Sequence, residues 1–235
     1  MPVSISRLTS RDIPGAIIAI QEAFKDDPYA LFVFSGSSSK FDAERNRVSL
    51  GIRCQWGIRN ALFYVAKDPQ SRDADEVLGI AMWMPPRPIG LKETWGEWFE
   101  GWRLWIQQVG MNLWYGRGGL NVKRYWIWKA RQAEAQSAIW TDPNGYYFLN
   151  IMVVKPGHQG KGIGKALARA VTKQADLEGK RCYLESSRDV PNIQIYESMG
   201  FHYVKTMDCD DEGTAIKLYC MVREPKREDI TEVEN

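Results

Sequence analysis

The chain reads as an α/β protein built on a mixed sheet, and three observations carry that reading. Short apolar runs of strand length alternate with longer segments of helical period. Two of the strand runs are joined by a polar loop of hairpin type, and the longest run passes through a glycine-rich turn straight into a helix.

Taken in order, Val3-Ser4-Ile5-Ser6-Arg7-Leu8 alternates apolar and polar residues, the period of a first strand. Thr9, Ser10, Arg11 and Asp12 offer caps for a helix through Ala16, Ile17, Ile20, Ala23 and Phe24, which stops near Pro28. A second helix is expected over 41–57, carrying Val48, Ile52 and Trp56. Strands follow at 61–66 and 77–84, with the polar residues 67–76 as their hairpin loop. From Pro85 to Pro143 the pattern changes. The last block runs strand 146–154, helix 162–178, strand 181–186, short helix 192–199, and strands 203–207 and 215–222. Residues 224–235 are charged, with the composition of a disordered tail. The division is therefore one domain over 1–223, containing an insertion at 85–145, and a tail.

Composition narrows the function classes. A length of 235 residues suits one sizeable domain with an embellishment. A formal net charge of +2 gives no electrostatic ground for a nucleic-acid partner or an anionic membrane. Cys54, Cys182, Cys209 and Cys220 are scattered without C-x-x-C spacing, and there are only two histidines, which argues against a zinc site or a disulfide framework. The N-terminus lacks the basic-then-apolar layout of a signal peptide, and no apolar run reaches the roughly 20 residues that span a bilayer. A reducing cytoplasmic location is the expectation, for a monomer or a homodimer.

Eight of the ten tryptophans fall within 95–140. Trp95, Trp98, Trp102 and Trp105 recur at steps of three and four and so share one helical face. A further helix is expected to carry Tyr125, Trp126, Trp128 and Trp140, after a turn at Gly116-Arg117-Gly118-Gly119. One reading packs these aromatics onto the sheet as core. The other makes the hairpin a cover over a substrate pocket, since insertions of this length are usually functional and aromatic faces bind cations or rings.

The chemistry is concentrated in Val153-Val154-Lys155-Pro156-Gly157-His158-Gln159-Gly160-Lys161-Gly162-Ile163-Gly164-Lys165. A strand that turns through glycines into a helix gathers free backbone N–H groups at the positive end of the helix dipole, which is a site for phosphate. The nucleotide-triphosphate loop does not fit, because Ala166 follows Gly164-Lys165 and Gln159 occupies the first glycine position. Nor does the dinucleotide fingerprint, which places Lys165 at its third glycine.

Gln159-Gly160-Lys161-Gly162-Ile163-Gly164 does fit the pattern Gln/Arg-x-x-Gly-x-Gly/Ala of the GCN5-related N-acetyltransferase (GNAT) superfamily, which the chain resembles here. Ile195-Tyr196-Glu197-Ser198-Met199-Gly200-Phe201 is similar to that family's Leu-Tyr-Glu-x-x-Gly-Phe segment. The resemblance covers about 149–223 well and the first half by its order of elements. It implies a GNAT-like, mostly antiparallel mixed sheet flanked by helices, with the tryptophan-rich helical insertion between strands 3 and 4. It also implies that the fourth and fifth strands splay apart to admit a pantetheine arm.

By the same resemblance the cosubstrate is acetyl-CoA, with its diphosphate on Gln159, Gly160, Lys161, Gly162, Ile163, Gly164 and Lys165. The pantetheine then lies along Met152, Val153 and Val154, and Tyr196 is the general acid that protonates the departing thiolate. The family often has asparagine where this chain has Asp189, and Asn192 is the candidate substitute for its contact with the pantetheine. Glu185, ending the fifth strand, is the candidate base for the incoming amine, and Asn150 is able only to orient water or acceptor. His158 and His202 read as structural. The function implied is acetyl transfer to a small-molecule amine by direct attack. The alternatives are an acyl-CoA-binding module without catalysis and a protein or peptide N-acetyltransferase.

Overall fold

The computed structural model describes residues 3–34, 41–71 and 73–226; most of the charged tail, 227–235, lies outside the described residues. Seven strands form one sheet in the order β1-β2-β3-β4-β5-β7-β6. They are β1 (Ser4–Arg7), β2 (Leu62–Lys67), β3 (Gly79–Met84), β4 (Tyr147–Val154), β5 (Cys182–Ser186), β6 (His202–Asp211) and β7 (Thr214–Arg223). All neighbours are antiparallel except β4 and β5, which run parallel. The mostly antiparallel mixed sheet expected from the sequence is the one found.

Helices cover both faces. On one lie α1 (Ile13–Ala23), α2 (Pro28–Val33), α3 (Ala43–Asn60) and α5 (Val122–Ile139). On the other lie α6 (Ile163–Leu177) and α7 (Asn192–Glu197). The longest helix, α4 (Trp95–Tyr115), rests on α3 rather than on the sheet. It and α5 make up the insertion between β3 and β4.

Strand period sorts side chains between the two cores. Along β3, Ile80 and Met82 enter the α1–α3 core, while Ala81 and Trp83 enter the α6 core. From α6 come Ile163, Leu167, Ala168, Val171 and Ala175, spaced as a helical stripe. Each fully buried aliphatic side chain there contributes about 1.5–3 kcal/mol. That packing fixes α6 against β4 and so fixes where its N-terminus points.

Helix α2 has no counterpart in the sequence reading. Pro28 ends nothing: it is the first residue of α2, where its missing N–H costs no bond, and Asp27 caps the helix by accepting from the Tyr29 and Ala30 N–H groups at 3.0 and 3.3 Å.

Candidate active site

Strands β4 and β5 part company within the sheet. Their ladder pairs Tyr147 with Cys182, Phe148 with Tyr183 and Leu149 with Leu184, and stops there. Each strand continues on its outer partner, β4 as far as Val154 opposite Gly79 and β5 as far as Ser186 opposite Tyr219. The separation begins at a bulge: Met82 pairs with Ile151 and Trp83 with Leu149, so Asn150 has no partner on β3. An extra residue bends the strand that carries it, and this one bends β4 away from β5. Asn150 is exposed at the fork.

Beyond the bulge, β4 lines the gap with unpaired backbone. The Lys155 N–H donates to the Leu78 carbonyl at 2.8 Å, so the odd-numbered residues 151, 153 and 155 face β3. Alternation turns the N–H and C=O groups of Met152 and Val154 toward the gap, while Val153 is bonded into the sheet and buried. Of the three β4 residues expected to orient a pantetheine arm, Met152 and Val154 therefore have main-chain groups on the correct side.

At the end of β4 the chain turns through Gly157, Gly160 and Gly162, with φ of +83°, +75° and +80°. These left-handed values favour glycine, and a Cβ on any of the three would meet no atom within 4 Å. Gly162 is the residue from which α6 starts. The seven consecutive N–H groups from Gln159 to Lys165 donate to no backbone or side-chain acceptor among the described residues, the first helical bond being Ala166 N–H to the Gly162 carbonyl at 3.0 Å. Seven open donors at one helix N-terminus fit a diphosphate. Lys161 is exposed, its Nζ donating to the Gly157 carbonyl at 3.0 Å. Lys165, Arg169 and Lys173 continue along one side of α6 at steps of four and line a cleft of about 430 Å³ with Arg223 and Lys226. That cationic ledge was missed in the sequence, although the spacing after Gly164 encodes it.

Two titratable groups flank the gap. Tyr196 on α7 is half-buried against Phe201, ring centroids 6.1 Å apart, and its hydroxyl has no hydrogen-bond partner among the described residues. Burial, assisted by the Asp27 carboxylate, pushes the phenol up to about 12. It is thus a protonated donor throughout the physiological range. Glu185 leaves β5 on the other face, half-buried, with Oε2 accepting from Gln132 Nε2 at 2.8 Å and Oε1 accepting from Tyr183 Oη at 3.0 Å and Gln136 Nε2 at 3.2 Å. Burial raises its pKa, and the three donors oppose but do not cancel that rise. Lys129, over the Trp128 ring at 5.1 Å, donates to Gln132 Oε1 at 2.8 Å and so orients the amide toward Glu185. Gln132 and Gln136 come from the insertion and lie about fifty residues away in sequence; no local signal announces them.

The remaining expected residues sit at the rim. Asn192 donates through Nδ2 to Ser186 Oγ at 3.0 Å and so ties the start of α7 to the end of β5. Asp189 is exposed and accepts from the Val190 N–H at 2.7 Å. Ser187, just past β5, donates to Asp27, which brings the α2 cap to the same edge. Trp128 packs edge-on to Tyr29 at 4.9 Å, and Trp140 stacks on Tyr146 at 5.6 Å and meets Phe148 and Tyr183, so these two insertion tryptophans are half-buried against the core, in the direction of the first reading. The α4 stripe behaves otherwise, as described below.

A fork in a mixed sheet, a donor-rich turn beside it, and the Tyr196 phenol and Glu185 carboxylate together make up the candidate site. Residues 121–203 match the family model for the acetyltransferase (GNAT) domain. An uncharacterized N-acetyltransferase of Schizosaccharomyces pombe is 24% identical over 234 residues, covering 98% of this chain and 87% of that protein. Among solved structures, one described as histone acetyltransferase HPA2 and related acetyltransferase, from Corynebacterium glutamicum, superposes with a TM-score of 0.64 at 18% identity, over 98% of this chain and 100% of that one. Arylalkylamine N-acetyltransferase 2 of Aedes aegypti gives 0.57 at 13% identity, over 96% and 100%. Residues 121–203 are thus similar to a GNAT acetyltransferase domain, and the superpositions show that the whole chain shares the fold of such proteins.

Proposed function

We propose that the protein transfers the acetyl group of acetyl-CoA to the amine of a small molecule by direct attack. The observation that carries this reading is the run of seven open N–H donors, Gln159 to Lys165, placed where the β4–β5 fork opens. Acetyl-CoA supplies the activated thioester. The cradle holds its diphosphate, the Lys165–Arg169–Lys173 ledge adds cationic charge alongside, and Met152 and Val154 bond the arm as a strand would.

Glu185 takes a proton from the incoming ammonium and leaves a neutral amine. The amine nitrogen forms a bond to the thioester carbon and loses its second proton to water, the carbon–sulfur bond breaks, and Tyr196 gives its phenolic proton to the thiolate. A phenol held at about 12 still protonates a thiolate usefully when transfer is concerted with bond cleavage, and solvent restores the proton. Support for a small acceptor is that Glu185 is half-buried, with insertion side chains Gln132 and Gln136 bonded to its carboxylate.

Thiol release from acetyl-CoA across a panel of amines tests the reading. Turnover with at least one small amine, reduced strongly in Tyr196→Phe, is the expected result. Turnover confined to peptide amines overturns the acceptor class. Tight CoA binding without turnover on any amine, unchanged by Tyr196→Phe, identifies a binding module instead.

A further inference from the structure

Helix α4 is built inside out. The side that rests on α3 holds its one buried residue, Met111, and polar contacts: Arg59 Nε donates to Glu100 at 2.9 Å, and Arg45 donates to Asn112 Oδ1 at 2.8 Å. The opposite side is apolar and open to solvent. Trp95, Phe99, Trp102, Ile106 and Leu113 are all exposed there, from 85% for Trp95 to 47% for Trp102.

With half-buried Val109, these residues are spaced 4-3-4-3-4 from Trp95 to Leu113. That is the 3.5-residue period which keeps one seam of a helix in contact with a partner helix. Trp98 and Trp105 flank the seam and complete an aromatic ladder with Trp95 and Trp102, ring centroids 5.3 to 6.0 Å apart. A Cβ on Gly110, beside the seam, would meet nothing within 4 Å, which leaves room for a close approach.

The stripe is too large to be incidental. From the sizes of these side chains it exposes on the order of 1,000 Å² of apolar surface. The largest patch on a typical monomer is about 300–600 Å², and each partner in a stable complex contributes about 800 Å². Among the described residues no segment covers it, and residues 35–40 and 227–235 are polar and charged in sequence, with no apolar run. The charged residues of α4 are Glu97, Glu100 and Arg103, so no cationic rim accompanies the stripe to meet lipid phosphates.

We propose that this seam is a dimer interface, on which a second copy of the chain lays its own α4 about a two-fold axis. A self-complementary stripe closes after two copies. Sedimentation equilibrium of the full chain from low to high micromolar concentration is expected to give a dimer. Trp102→Glu and, separately, Ile106→Glu are expected to give monomers with unchanged far-UV circular dichroism. If either variant loses its helix signal, dilution of the wild type decides: tryptophan emission shifts to the red at the dissociation midpoint. A wild-type monomer across the range, or a dimer untouched by both folded variants, overturns the proposal. A monomer that co-sediments with phosphatidylcholine vesicles also overturns it and assigns the stripe to lipid.

Discussion

Tyr196 and Glu185 occupy opposite faces of the fork, and burial acts on both in the same direction, favouring the neutral form. In the proposed reaction this preserves on Tyr196 the proton the leaving group requires. Tyr196→Phe should lower kcat by about 10²-fold while leaving KM for acetyl-CoA near its wild-type value, as steady-state kinetics will show. For Glu185 the raised pKa places ionisation nearer neutrality. Because a base works ionised, kcat/KM should fall on the acid side with a midpoint above the ordinary glutamate range. Gln132→Leu removes a donor that favours the carboxylate, so its acid limb should move to higher pH; a move to lower pH contradicts the role. At this scale the sequence spoke unevenly. Tyr196 and residues 159–165 were legible because each belongs to a contiguous segment whose backbone geometry is local. Gln132 and Gln136 were not, because only the docking of α5 brings them to Glu185.

The candidate site has two small backbone devices, the unpaired Asn150 at the fork and the left-handed Gly162 at the start of α6. In Gly162→Ala the methyl group enters open space but the backbone must hold φ near +80°, a conformation costing about 1–2 kcal/mol for an L-residue. The expected outcome is CoA affinity weakened roughly tenfold, equivalent to about 1.4 kcal/mol, with loss of only a few degrees in Tm. Calorimetry and thermal melts check the two numbers. Most elements followed from period and turn chemistry to within a few residues. Helix α2 escaped because a proline that starts a helix and one that stops it look alike until the Asp27 cap is seen. Strand β6 runs longer than expected, to Asp211: its outer end alternates buried Met207 and Cys209 with exposed Asp208 and Asp210, and the run of aspartates hid that period. The period of the α4 stripe was plain in the sequence. Its direction was not, because periodicity names a face without saying what it meets.

Across the whole molecule, the part of the sheet beyond the fork is tied back to α6 by one ion pair. Arg223 of β7 donates through both terminal nitrogens to Asp176 at 2.7 Å, and the Lys226 N–H adds a third bond at 2.7 Å. Burial pushes the Asp176 carboxyl up, but these partners outweigh it and hold the pKa below its ordinary range. The stability this contributes is present above the ordinary aspartate pKa and is lost as pH falls through the lowered value. Asp176→Asn leaves the buried Arg223 without its counter-charge and should cost about 3 kcal/mol at neutral pH. In urea unfolding the gap to wild type should narrow toward acid pH. The fold class was readable from the chain because alternation and hairpin signals recur along it; the α6–β7 tie was not, because it joins residues 47 apart.

Titration calorimetry with CoA and with pantetheine tests whether the 159–165 turn grips a coenzyme's diphosphate. A one-to-one complex with CoA and far weaker binding of pantetheine, which lacks the diphosphate, is the expected result. No heat with CoA, or equal affinity for the two ligands, contradicts it.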